Sequence, residues 1–452
     1  MLTLPVSLLR LPTPDRMPRF RHSSSPLIFL VACTGGILVL LLGAGGAADS
    51  HSAPTHSSAP TYTNADADTL RLFSDATVEH LPTSVLTGLS MDAAVADMDG
   101  NGTLDLVIAN EFRPNILLLG EPDGHFRDAS DQLPRAERDS EDVGIADFDG
   151  DGDLDVVVVT EDDTANEYYL NDGAGAFTDV SDRWPVEGVS NAVAVVDLNG
   201  DGAPDLLVGN NGQNRALIND GTGQFDDETA TRLPIRDDVT QDVEFGDMDG
   251  DDDLDLIVAN EDDNALLLND ATGVFSISEG AIPLLDVPEE TREADVGDVD
   301  GDGDLDLLFA NVRLFVDDAR RQNRLLINDG SGRFHDATIG RLPMDDQSSL
   351  DGDLIDLDTD GDLDIVTSNV LFDGESIKSA PFGILMNDGI GRFSDATRTA
   401  LPDVITGRGL DAEAGDFNAD GRPDLFLCSR GTVDRLLLSV VSPDTTESVS
   451  IE

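Results

Sequence analysis

Between Asn191 and Asn210 the chain reads NAVAVVDLNGDGAPDLLVGN: an apolar run, a segment of acidic residues and glycine, then a second apolar run. Shortly afterwards RALIN closes in an Asn-Asp pair, a glycine turn follows, and Phe225 opens another short run. Apolar runs of this length, bounded by glycine and aspartate, are the pattern of buried strands joined by tight turns. The stretch predicts four strands: before the acidic loop, after it, at RALIN, and from the phenylalanine.

The pattern recurs, which makes the chain a repeat protein before it is anything else. Acidic loops begin at Asp97, Asp147, Asp197, Asp247, Asp298, Asp356 and Asp416, in steps of 50, 50, 50, 51, 58 and 60. Most are followed by a turn such as NDGAGAF, NDATGVF or NDGSGRF, with the looser LLLGEPDGHF in the first copy. A hydrophobic residue plus proline marks each repeat too, as at Leu81-Pro82, Trp184-Pro185 and Leu401-Pro402. Four strands per repeat of this length predict an all-β fold, a seven-bladed β-propeller with four-stranded blades over residues 69–441. Phenylalanine strands start at Phe73, Phe126, Phe177, Phe225, Phe275, Phe334 and Phe393; the first precedes every acidic loop and none follows the last. The strand at LFSDAT is therefore expected to complete the final blade beside RLLLSV and close the ring, leaving no open sheet edge.

Within each loop, acids at every second position repel one another unless a cation lies among them. Calcium takes oxygen ligands, and short loops supply them at positions 1, 3 and 5 with a backbone carbonyl at 7. Position 1 is the aspartate that begins each loop. Position 3 is Asp99, Asp149, Asn199, Asp249, Asp300, Asp358 and Asn418; position 5 is Asn101, Asp151, Asp201, Asp251, Asp302, Asp360 and Asp420. Position 7, which needs only its carbonyl, varies: Thr103, Asp153, Ala203, Asp253, Asp304, Asp362 and Arg422. Position 9 is Asp105, Asp155, Asp205, Asp255, Asp306, Asp364 and Asp424, and completes the set. Glycine at position 6, as at Gly152, allows a sharp turn, and Asp252 stands there in the fourth loop. An EF-hand is excluded, because its position 12 needs an acid and these loops have residues such as Ile108, Val158 and Leu427. The expected cofactor is Ca2+, at up to seven structural sites on which folding depends.

These loops and the NDGxGxF turns resemble the FG-GAP/VCBS-type repeats of secreted and surface proteins, to which the integrin α-subunit propeller belongs. The resemblance covers residues 70–440. It implies that the metal loops join the first two strands of a blade, on the face opposite the usual ligand surface, and that the metal is structural.

Composition narrows the partners. Of 452 residues 91 are acidic and 27 basic, a net charge of −64, so nucleic acid and anionic membrane surfaces are excluded as partners by repulsion. A hydrophobic content of 40% still provides a large core. Residues 1–48 read as an export signal or an uncleaved N-terminal membrane anchor, with Arg10, Arg16, Arg19 and Arg21 ahead of an apolar run from Leu27 to Leu42. Residues 49–68 read as a Ser/Thr/Pro-rich linker and 442–452 as a tail. The expected location is secreted, periplasmic or cell-surface. Cys428, in DLFLCS, reads as a buried strand residue, and Cys33 lies in the signal, so no disulfide framework is expected.

Two features point to a binding surface. The connections from second to third strand are long at Asn311–Arg324, which gathers Arg313, Arg320, Arg321 and Arg324, and at Asn369–Gly383, which holds the only lysine, Lys378. They are candidate contacts for an anionic or carbohydrate partner, or else insertions tolerated by paired charges. Five residues before each first ligand stand Asp92, Asp142, Ala192, Asp242, Glu293, Asp351 and Asp411, near the start of the innermost strands. Contacts between adjacent blades explain such a ring, and a cation or sugar site in the channel mouth is the alternative. No Gly-x-Ser-x-Gly elbow or HExxH motif occurs, and no catalytic residues are assigned. The sequence thus reads as a binding or adhesion module for an extracellular protein or polysaccharide, with a polysaccharide lyase-like enzyme as the alternative.

Overall fold

The computed structural model describes residues 71–440, except 85–86, 162–165, 317, 345–347, 373–375 and 402–404. The expected export segment, linker and tail lie outside the described residues. Among the described residues no helix is long and apolar enough to cross a membrane.

The fold is all-β, made of antiparallel four-stranded units with helical turns of three or four residues between them. The first unit comprises Ser90–Ala96, Asp105–Asn110, Ile116–Gly120 and Phe126–Asp128, paired in chain order. The second comprises Ser140–Ala146, Asp155–Thr160, Glu167–Asn171 and Phe177–Asp179, and the third Ser190–Val196, Asp205–Gly212, Arg215–Asn219 and Phe225–Asp227. Asp238–Gly246, Asp255–Asn260, Ala265–Asn269 and Phe275–Ile277 form the fourth. Thr291–Gly297, Asp306–Asn311, Arg324–Asn328 and Phe334–Asp336 form the fifth. The sixth pairs Ser348–Ile355, Asp364–Phe372, Gly383–Asn387 and Phe393–Asp395. The seventh has Gly409–Gly415, Asp424–Ser429 and Arg435–Ser439, and its fourth strand is Phe73–Asp75, with Phe73 opposite Ser439. This is the pairing that the phenylalanine count predicts.

The first six residues of every second strand are buried, as in DLVIAN and DVVVVT. Their two faces pack on different neighbours: Val107 and Ala109 join a core with Val156 and Val158 of the second unit, whereas Leu106 and Ile108 join Phe426 and Cys428 of the seventh. A strand covered on both sides reads as an unbroken apolar run, which is why these segments were legible. Cys428 is buried there, as expected. Each first strand carries a β-bulge at the same place, between Ser90 and Asp92 in the first unit and at the equivalent residues in all seven. A bulge re-aims the residue that follows it.

One of the two long connections differs from the expectation. Asn369–Gly383 is not a simple loop: the second strand runs on to Phe372 and pairs with an added strand, Ile377–Pro381, with Val370 opposite Ser379 and Ala380 opposite Gly407. Asn311–Arg324 remains a loop, wound around Glu290. The buried Glu290 carboxylate accepts the N–H groups of Leu314, Phe315 and Val316 at 2.9–3.1 Å, and Arg292 pairs with it at 3.0 Å.

Candidate metal centres

Each acidic loop folds on its position-1 aspartate. In the second loop Asp147 Oδ1 accepts the N–H of Gly150 and of Asp151, and Oδ2 accepts that of Gly152. Asp151 Oδ1 accepts the N–H of Asp153, tightening the turn. The same bonds recur around Asp197, Asp247 and Asp298. Two positions adopt positive φ, not one. Position 6 does so as expected (Gly152 at 98°, Asp252 at 69°), and so does position 4 (Gly150 at 75°, Thr359 at 62°, Ala419 at 58°). The signal for position 4 was glycine in five of the seven loops.

Position 9 has a task that sequence reading missed. Asp155 Oδ2 accepts the N–H of Phe148 at position 2, and Oδ1 accepts that of Asn171 at the end of the third strand. Every loop repeats this pair of bonds, from Asp105 with Met98 and Gly120 to Asp424 with Phe417 and Ser439. Burial pushes these carboxyls up, to about 6 for Asp105, Asp205, Asp255 and Asp424 and about 7 for Asp155, Asp306 and Asp364. The Asp153 side chain at position 7 turns away to the ND turn: a Cβ added at Gly173 would lie 2.5 Å from its carboxylate oxygens. The side chain at that position is therefore free to vary.

Position 3 provides the test of whether a cation fits. Asp149, Asp249 and Asp300 each have an Oδ1 buried without a hydrogen-bond partner. Oxygens of Asp97, Asp99 and Asp105 lie within 4.8 Å of one another, as do those of Asp147, Asp149 and Asp155. Converging carboxylates with a buried, donorless oxygen among them suit a hard cation such as calcium. Positions 1, 3, 5 and 9 would hold it through side chains and position 7 through its carbonyl.

In four of the five ND turns the asparagine joins neighbouring units, whereas Asn269 Nδ2 donates to Leu254 in its own loop. Asn171 Nδ2 donates to the carbonyl of Met98, at position 2 of the preceding unit's loop, and to that of Leu154 in its own. Asn219, Asn328 and Asn387 make the equivalent pairs.

The first-strand carboxylates form inter-unit contacts, the plainer of the two readings, at Asp92, Asp142, Asp242 and Asp411. Each accepts through Oδ2 an N–H of the next first strand, from Val143, Val193, Ala294 and Ala93 respectively. In the fifth unit this task belongs to Asp295, bonded to Leu354 N, and not to Glu293.

Among the proposed ligand contacts, Arg324 is corrected: it is 1% exposed and paired with Glu289 at 2.9 Å and Asp336 at 3.1 Å, so it braces the unit from inside. Arg320 lies 3.8 Å from the same Asp336. Arg313 is exposed, Arg321 half-buried, and Lys378 is exposed on the added strand with a hydrogen bond to Ser376 at 2.5 Å. His80 and His125 stack with ring centroids 4.1 Å apart.

Comparisons with known proteins agree with this repeat geometry. The FG-GAP-like repeat profile matches four overlapping windows, 97–158, 147–208, 197–258 and 247–309, each running from one acidic loop into the second strand of the next unit. No curated protein matches the sequence. Similar solved structures include a lectin of Agrocybe aegerita that recognises non-reducing terminal N-acetylglucosamine, at 16% identity over 77% of this chain and 87% of that one, TM-score 0.45. BBS1N in complex with ARL6DN is similar at 11% identity over 82% and 98%, TM-score 0.49. The extracellular domain of a one-component system of B. thetaiotaomicron is similar at 10% identity over 80% of this chain and 39% of that one, TM-score 0.48. With acidic loops and ND turns repeating in register and the profile matched four times in succession, residues 97–309 are FG-GAP-like repeats.

Proposed function

We propose that the seven four-stranded units are blades of a closed β-propeller, exported and held together by calcium in the acidic loops. It works as a binding or adhesion module for an extracellular protein or glycan. The observation that carries the metal is the buried, partnerless position-3 oxygen of Asp149, Asp249 and Asp300. Closure is supported by the pairing of Phe73–Asp75 with the last strand and by the bond from Ala93 N to Asp411. Export is supported by the basic and apolar N-terminal segment.

In antiparallel units the connection from second to third strand leaves at the end opposite the acidic loop, so the metal sites and these connections occupy different faces. The exposed phenylalanines among the described residues, Phe112, Phe315 and Phe372, belong to these connections, and Arg313 is exposed beside Phe315. Exposed aromatic side chains next to a cation suit a partner surface with apolar and anionic groups. The lyase-like alternative draws on Glu244 and Glu293, whose carboxyls burial pushes well up, on the strands nearest Arg292.

Two measurements on the full-length protein test the proposal. Calcium should raise the melting temperature steeply over that in chelator; an unchanged melt removes the metal from the account. Incubation with extracellular polysaccharides should give bound, intact polymer, whereas released fragments would make the chain an enzyme.

A further inference from the structure

The first strands bring together carboxylates that the acidic loops do not use. Asp351 follows the bulge in the sixth unit, the place held by Asp92, Asp142, Asp242 and Asp411 in theirs. Those four each accept an N–H from the next first strand, and Asp351 accepts none from its neighbour. It is 3% exposed, and its Oδ2 is buried without a hydrogen-bond partner. The strand that carries it lies between those of Glu293 and Asp411.

The charge of Asp411 acts on Asp351, and Asp411 stands with Asp92 and Glu413, a carboxylate oxygen from each within 4.8 Å of the other two. Asp92 and Asp411 each accept the N–H of the next first strand through Oδ2. Asp353, two residues along from Asp351, also has an Oδ2 buried without a partner. Among the described residues the first strands carry one basic side chain, Arg292, and it is engaged by Glu261 and Glu290 at 3.2 and 3.0 Å. No other basic side chain of the described first strands meets the negative charge of the group.

We propose that Asp92, Asp351, Asp411 and Glu413 form a calcium site between the first strands of the first, sixth and seventh units, distinct from the acidic loops. Five residues of extended strand, about 16 Å, separate Asp92 from the first loop ligand Asp97. The donors are all hard oxygens, as calcium requires, and water would fill the remaining coordination positions. Without the cation the same carboxyls retain protons: burial first, then the charge of Asp411, pushes Asp351 well up, and Glu413 follows for the same reasons. Cation and proton therefore compete for the site. This inference concerns the stabilisation of the ring at its seam and is independent of the partner.

The test is calcium binding by equilibrium dialysis and calorimetry, with full-length wild type, Asp351→Asn, Glu413→Gln and the loop variant Asp149→Asn. The two channel variants should each lose roughly one bound calcium per chain, with the loop sites intact. In chelator both should melt higher than wild type, because the amide spares the fold the cost of keeping a buried carboxyl protonated, and in saturating calcium that advantage should vanish or reverse. Asp149→Asn should lose a calcium without raising the chelator melt comparably. If Asp351→Asn fails to fold, Glu413→Gln carries the same readouts. Unchanged stoichiometry, with melts raised equally in calcium and in chelator, would overturn the site and leave a cluster that holds protons only.

Discussion

Ala419 and Thr359 hold φ values of 58° and 62° at loop position 4, where the other five loops have glycine. The left-handed conformation costs a residue with a Cβ about 1–2 kcal/mol, and glycine gives back part of that through its freer unfolded chain. Thr359→Gly should therefore stabilise the fold by about 1 kcal/mol and Ala419→Gly by about 0.5, in urea denaturation at saturating calcium. Gly152→Ala, at 98°, should destabilise. A destabilised Thr359→Gly would mean that the threonine side chain makes contacts worth more than the strain. Position 9 sets the pH dependence. Its carboxyls rise to about 6–7 through burial, so in metal-free protein their stabilising, protonated form is complete below the ordinary aspartate range and is lost as pH climbs through 6–7. Acidifying chelated protein from pH 8 to 5 should raise its melting temperature, while the increment due to calcium shrinks because the metal needs ionised ligands. A chelated melt that falls over this range would contradict the assignment. The alternation of acids in each loop was legible because it repeats in register. The double N–H acceptance by position 9 was not, since its second donor is fixed only once the third strand is in place.

Among the elements, the ND turn does more than reverse the chain. Asn328 is 4% exposed and spans Met248 O and Leu305 O, at 2.8 and 3.0 Å, joining the fourth unit's loop to the fifth. Asn328→Ala leaves buried carbonyls without a donor and should cost about 2–4 kcal/mol in denaturant unfolding. The adjacent Asp329 is exposed and bonds only within its own turn, so Asp329→Ala should cost under about 1 kcal/mol. Equal effects would show that the turn matters for its shape alone. The sequence marked both residues as a signature without separating them, because the partner carbonyls belong to another repeat. The added strand Ile377–Pro381 was less visible, although Asp373-Gly374 between two apolar stretches is a hairpin signal. Its extra pairing with Thr406–Gly407 could not be read from one segment. Arg324 was misjudged because a buried arginine is rare without partners, and Glu289 and Asp336 come from separate segments of the fifth unit.

For the whole molecule the decisive joint is the one between its ends. Phe73–Asp75 pairs with Arg435–Ser439, and the fully buried Phe73 packs in a core with Leu425, Leu427 and Leu437 of the seventh unit and Val366 of the sixth. Sequence counting reached this pairing because one strand type occurs a step early and is missing at the end. The bonds that seal the inner side, such as Ala93 N to Asp411, depend on bulges that no spacing announces. The pairing also has to hold against a net charge of −64. A chain lacking residues 1–84 should lose this strand and expose the edge of Arg435–Ser439. It should then melt well below a chain lacking only residues 1–68, and self-associate in sedimentation experiments. Phe73→Ala in the longer chain should cost about 3–5 kcal/mol by itself. A synthetic peptide covering residues 69–82 should bind the shorter chain as an added strand, restore its melt and return it to monomer, and the same peptide with Phe73→Asp should not. If the shorter chain stays monomeric with an unshifted melt, the first strand is an accessory to the seventh unit and the ring does not depend on its N-terminus for closure.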